Sequence, residues 1–108
     1  MNEVLQQKAK ELGNLITQTE EYKRVKELQA AMFADEKALA MLKEVQQLQN
    51  RNQNKQKLNE LTKEDLKEVE QAELKMLEND LIKSFHEAQT DFQRLLNFVM
   101  KDVIEASK

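Results

Sequence analysis

The sequence has no cysteine, no proline and no tryptophan, and only one glycine among its 108 residues. The absence of cysteine excludes disulfide bonds, metal or iron–sulfur sites built on thiolates, and a cysteine nucleophile. A single glycine excludes the P-loop and the dinucleotide-binding fingerprint, because both motifs need several. No run of 18 apolar residues occurs, and the chain starts Met1-Asn2-Glu3 without the apolar segment of a signal peptide. We therefore expect a cytoplasmic protein with no membrane association.

The charged residues are of mixed sign, with 17 Lys and Arg against 20 Asp and Glu, which gives a formal net charge of −3. A dedicated nucleic-acid binder normally carries a strong positive excess, so this balance argues against that class. Leu, Glu, Lys, Gln and Ala dominate the rest of the composition, and all of them are good helix formers. The hydrophobic share of 40% is high enough for a packed fold. These features predict an all-α protein.

The spacing of apolar residues and the helix-start signals predict one helical domain over residues 1–108. Its five helices are expected at about residues 2–17, 20–33, 36–52, 63–78 and 81–106. The predicted architecture is an elongated antiparallel bundle of four to five helices, with a long helical hairpin, that self-associates. Thr17, in a capping box with Glu20, and Thr19 are equally good N-caps for the second helix. Asp35 is a suitable N-cap for the third, and Thr62 with Asp65 resembles a capping box. The amide-rich segment 46–57 is expected to fray beyond Asn52.

The last predicted helix carries a broad apolar stripe. Its centre falls within a sector of about 80° at 100° per residue, and further apolar residues widen it to about 180°, with Phe98 on the opposite side. One neighbouring helix does not normally cover so wide a stripe. The helix is therefore expected to be central in the bundle or covered by a second subunit, as a homodimer or higher homo-oligomer. The residues expected to anchor that core or interface are Phe85, Phe92, Leu95, Val99, Met100 and Val103.

The sequence offers no convincing catalytic, metal or cofactor site, so we predict a non-enzymatic protein without a cofactor. His86 is the only histidine, and Thr90 stands where a zinc-binding helix motif needs a second one. The carboxylate pairs Glu64/Glu68 and Glu87/Asp91 lie on polar faces, without a pocket that would separate their pKa values.

A cluster of three basic residues is the candidate partner surface outside the apolar stripe. Lys23, Arg24 and Lys26 are flanked by acids, so direct nucleic-acid binding is not expected, although an RNA-binding accessory role is the alternative function. Phe98 is a second candidate for partner contact, because it lies outside the stripe.

The order of several short motifs resembles the YlbF/YmcA/YheA family of small helical proteins from Gram-positive bacteria. The resemblance covers nearly the whole chain and rests on the segments 19–26, 34–38, 44–49 and 61–66, followed by a final helix opening at Asn79. It implies an all-α fold with a long helical hairpin, self-association and no catalytic residues. It also implies regulation of competence, sporulation and biofilm formation, within a complex of proteins that influences RNA processing.

The chain departs from the family pattern in two places. Some members ligate an iron–sulfur cluster through cysteines, and this chain has none, so the cluster is not carried over. The glycine expected before Leu61 and Thr62 is also absent, and Asn59 stands nearby instead.

Overall fold

The structure is a computed structural model that describes residues 2–108. Five helices follow one another along this stretch, and it contains no strand, which confirms the all-α prediction. The helices are α1 (Glu3–Ile16), α2 (Glu20–Ala34), α3 (Glu36–Lys57), α4 (Lys63–Leu77) and α5 (Asp80–Ala106).

Polar side chains satisfy free N–H groups at the helix starts. Of the two candidate caps of the second helix, Thr19 serves, whereas Thr17 is the C-cap of α1. The Thr19 hydroxyl accepts a hydrogen bond from the Tyr22 N–H at 3.2 Å, and an Asp35 carboxylate oxygen accepts from the Ala38 N–H at 2.8 Å. Thr62 and Asp65 form a complete capping box, each side chain accepting from the backbone N–H of the other at 3.1 Å. Such caps fix where each helix begins, because the first N–H groups of a helix have no partner inside it.

The end of α3 lies five residues beyond the predicted end at 52, because the helix continues to Lys57. The amide-rich segment does not fray, since Asn52 is buried and its side chain bonds to α4. The helix stops where Asn59 adopts a left-handed backbone with φ of 56°. The Asn59 N–H then donates to the Gln56 carbonyl and the Glu60 N–H to the Lys55 carbonyl, as in a Schellman motif.

The chain divides into two compact units, and each is described by itself. The terminal unit consists of the described residues up to Gln29 together with Phe85–Lys108, and the hairpin unit consists of Ala30–Ser84. The boundaries fall within α2 and α5. That the whole chain folds as one domain stays a prediction.

The hairpin unit is built on α3 and α4, which pack antiparallel across a small core. Its buried hydrophobic side chains are Met32, Ala38, Val45 and Ile82. The terminal unit has one such residue among residues 2–108, Ala88 on α5. In the same unit α2 contacts α5 through the rings of Tyr22 and Phe92, which meet edge to face with centroids 5.8 Å apart. The terminal unit therefore leaves much of its apolar surface uncovered.

Candidate functional site

An apolar groove, here called the terminal groove, lies between α1 and α5 within the terminal unit. It encloses about 460 Å³ and is lined mainly by Leu12, Ile16, Leu96, Val99, Met100 and Val103. None of the 14 residues of α1 is buried, although apolar side chains recur along one of its faces. A helix of this length is marginally stable alone in water, so its apolar face needs a covering surface.

The six predicted anchor residues divide into two groups in the structure. Phe85, Phe92, Leu95 and Val99 are half-buried within the chain. Met100 and Val103 are 58% and 49% exposed, so their own chain does not bury them. They line the terminal groove, and the neighbouring Ile104 is exposed as well. Any burial of Met100 and Val103 must therefore come from another surface.

Each residue of the predicted partner surface, Lys23, Arg24 and Lys26, has an interaction inside the terminal unit. Lys23 lies 3.8 Å from a Glu20 carboxylate oxygen, and Arg24 lies 3.5 Å from an oxygen of Asp91. The Lys26 ammonium stands over the Tyr22 ring, 5.5 Å from its centroid. The two acids offset part of the positive charge of this surface, which weakens its attraction for phosphate.

Phe98 is exposed over 67% of its surface and does not line the terminal groove. His86 is exposed as well. Over residues 2–108, no group of three His, Asp or Glu side chains is placed to hold a metal ion. In the same part of the chain, no helix is both long enough and apolar enough to cross a membrane.

A cluster of polar side chains, here called the hairpin cluster, joins α3 to α4 and consists of Arg51, Asn52, Lys55, Asp65 and Glu68. Asp65 accepts a hydrogen bond from the Lys55 ammonium at 2.9 Å and forms an ion pair with Arg51 at 3.3 Å. Arg51 also pairs with Glu68 at 3.1 Å. The Asn52 amide donates to the Asp65 carbonyl at 3.1 Å, and its oxygen accepts from Arg51. The cluster therefore fixes the register of the two helices.

Sequence reasoning identified Asp65 as a helix cap but missed the rest of the hairpin cluster. The available signal was the spacing of Arg51 and Lys55, four residues apart and hence on one face of α3. Their partners are 10 to 17 residues away along the chain, across the turn between the helices. Only the turn geometry at Asn59 brings these groups together.

The hairpin cluster predicts a specific loss of stability in acid. The hydrogen bond from Lys55, followed by that from the Thr62 N–H, lowers the pKa of Asp65 from 3.8 to about 2. The ionised carboxylate therefore stabilises the folded chain above the unfolded pKa near 4, and this contribution is lost as the pH falls through about 2. We expect the stability advantage of the unmodified chain over Asp65→Asn to shrink between pH 5 and pH 2, measured by urea unfolding.

Glu64→Gln is the control for this prediction, because Glu64 is the exposed neighbour of Asp65 outside the cluster. The difference in free energy of unfolding between Glu64→Gln and the unmodified chain should change much less over the same pH range. If the free energy of unfolding of Asp65→Asn differed from that of the unmodified chain by the same amount from pH 5 to pH 2, the role given to the carboxylate would be contradicted.

Comparison with known proteins places the chain in a family. A family model described as "Control of competence regulator ComK, YlbF/YmcA" matches residues 5–106. No curated protein and no solved structure matches the chain. The matched region includes all of α2, α3, α4 and α5 and nearly all of α1. The chain therefore belongs to the YlbF/YmcA family, as its motif order indicated.

Proposed function

We propose that the protein is a non-enzymatic regulatory adaptor that self-associates through the terminal groove and contacts other proteins of a regulatory complex. The family to which it belongs is described by control of a competence regulator, which fits a regulatory role. Competence is therefore the first process that we propose it regulates. The resemblance to the YlbF/YmcA/YheA family adds sporulation and biofilm formation as further candidates. We propose the cytoplasm as the place where it acts.

The observation that carries this proposal is the uncovered apolar surface of α1 and the end of α5. Val4, Leu5, Met100, Val103 and Ile104 are all about half exposed or more. Together with Leu12 they leave on the order of 600 Å² of apolar surface open to water in total, comparable with the largest apolar patches of monomeric proteins. A standard interface buries about 800 Å² on each partner, little more than half of it apolar. The exposed apolar area is thus comparable with the apolar part of a standard interface.

A second copy is the occupant that we propose for this surface. An isologous dimer places the same patch on both sides of the interface, so apolar surface meets apolar surface without any further sequence requirement. It also supplies the cover that α1 lacks. The alternative RNA-binding role gains no support from the basic edge, because Lys23 and Arg24 are already paired with acids.

Sedimentation velocity tests the proposal directly. At tens of micromolar the chain should sediment as a dimer or a larger assembly, and the mean sedimentation coefficient should fall on dilution. A chain that sediments as a monomer of 12.7 kDa at every accessible concentration would contradict self-association.

A further inference from the structure

The hairpin unit carries a second groove, here called the acidic groove, which borders the hairpin cluster at Asn52. It encloses about 380 Å³ between α3 and α4. Its apolar part comes from Leu61, Leu66 and Val69, and Leu66 is 55% exposed. Leu61 and Leu66 occupy the positions of a hydrophobic staple, a packed pair, yet Leu66 remains half open to water. The groove thus presents an apolar surface without a cover.

The two walls of the acidic groove differ in chemistry. From α3 come the amides of Gln49, Gln53 and Gln56, which recur at helical spacing. From α4 come the carboxylates of Glu70 and Glu73. Gln49 donates a hydrogen bond to Glu73 at 3.1 Å, and within residues 2–108 no lysine or arginine forms an ion pair with either glutamate. The groove therefore carries two negative charges without a cation.

The cations of this part of α3, Arg51 and Lys55, do not line the groove, which explains the imbalance. Gln53 lies about 200° around the helix from Arg51, at 100° per residue. Arg51 and Lys55 are engaged with Asp65 and Glu68 in the hairpin cluster. Neither cation therefore offsets the charge of the two glutamates of the groove.

We propose that the acidic groove binds an amphipathic helix of a partner protein, whose apolar stripe is bordered by Lys or Arg. Leu66 and Val69 receive the apolar stripe, while Glu70 and Glu73 pair with its cations and the glutamines accept or donate hydrogen bonds along its edge. From Leu66 to Glu73 the groove extends about 10 Å along α4, which matches two turns of a bound helix.

A second copy of this chain is a poorer fit, because its exposed basic cluster is already used. Lys23 and Arg24 pair with Glu20 and Asp91 within the terminal unit. The inference rests on the adaptor function proposed above, since the bound helix belongs to another protein. It does not involve the terminal groove, so the two proposals are tested on different residues.

Fluorescence anisotropy with a designed peptide tests the acidic groove. The probe is a labelled 14-residue helix of Leu, Lys and Ala with lysines bordering a leucine stripe, and the control peptide has Glu in place of Lys. The lysine peptide should bind and the glutamate peptide should not. Glu70→Gln with Glu73→Gln should weaken binding at least about tenfold, and Leu66→Gln should also weaken it.

The matched control protein is Glu44→Gln with Glu87→Gln, which changes the net charge equally at exposed positions outside the groove. It should bind the lysine peptide as the unmodified chain does. Equal binding by all variants, or equal binding of both peptides, would overturn the proposal.

Sedimentation of the same variants without peptide separates the two proposals. The groove variants should sediment as the unmodified chain does, and a loss of assembly would overturn the partner-helix proposal, because a second copy would then fill the groove. Conversely, a monomeric unmodified chain that still binds the peptide would contradict only the self-association proposal.

Discussion

Replacing Phe92 with alanine is expected to lower the free energy of unfolding by about 3 kcal/mol. Phe92 joins α5 to α2 through its edge-to-face contact with Tyr22, at 5.8 Å and an interplanar angle of 62°. Truncation removes that contact and leaves a cavity in a unit whose core is already small. Because Phe92 is half-buried, the loss should lie at the lower end of the range for buried phenylalanines. Urea unfolding monitored by circular dichroism measures it.

Phe98→Ala is the matched control, since it removes the same ring from the same helix at a position that is 67% exposed. It should change the free energy of unfolding by only about 0.5 kcal/mol. If Phe92→Ala were as mild as Phe98→Ala, the assignment of the packed face of α5 would be wrong.

Introducing charge into the terminal groove should have the largest effect on assembly. The double variant Met100→Glu with Val103→Glu replaces two exposed apolar side chains with carboxylates. In an isologous dimer the change occurs twice. Each apolar side chain that is buried on association contributes about 1.5 kcal/mol or more to the free energy of association. The dissociation constant should therefore rise at least about 100-fold, as measured by sedimentation equilibrium. The stability of the hairpin unit should not change.

The control for this variant is Lys83→Gln with Arg94→Gln, which shifts the net charge by the same amount at exposed positions of α5 outside the groove. It should assemble as the unmodified chain does. Equal weakening by both double variants would indicate that net charge, and not the terminal groove, controls association.

Local chemistry was sufficient to predict where the helices begin. Asp35 and Thr62 cap helices because their side-chain oxygens accept a hydrogen bond from a free backbone N–H three residues further on. Predicting this requires no knowledge of the rest of the fold. The left-handed conformation of Asn59 follows the same logic, since asparagine tolerates it best after glycine.

The end of α3 could not be predicted in this way. Asparagine has weak helix propensity and occurs three times between residues 50 and 54, so the sequence favoured fraying beyond Asn52. In the structure Asn52 is buried and bonds to the Asp65 carbonyl, 13 residues further along the chain. A tertiary contact thus overrides local preference, and the acidic groove next to it escaped prediction for the same reason.

The apolar stripe of α5 shows both the strength and the limit of periodicity. Its breadth indicated more apolar surface than one chain covers, and Met100 and Val103 are indeed exposed. Periodicity did not distinguish these two residues from Phe85 and Phe92, because all four lie on the same stripe. It also gave no sign that α1 would lack buried residues, since α1 has a regular apolar face of its own.

Hydrogen exchange of the α1 amides as a function of protein concentration tests the central claim, that another copy covers α1 and the end of α5. The amides of α3 serve as an internal reference within the hairpin unit. We expect α1 to be protected at high concentration and to lose that protection on dilution, while α3 keeps its own. Protection of α1 that stays the same from the highest concentration to full dilution would contradict the claim.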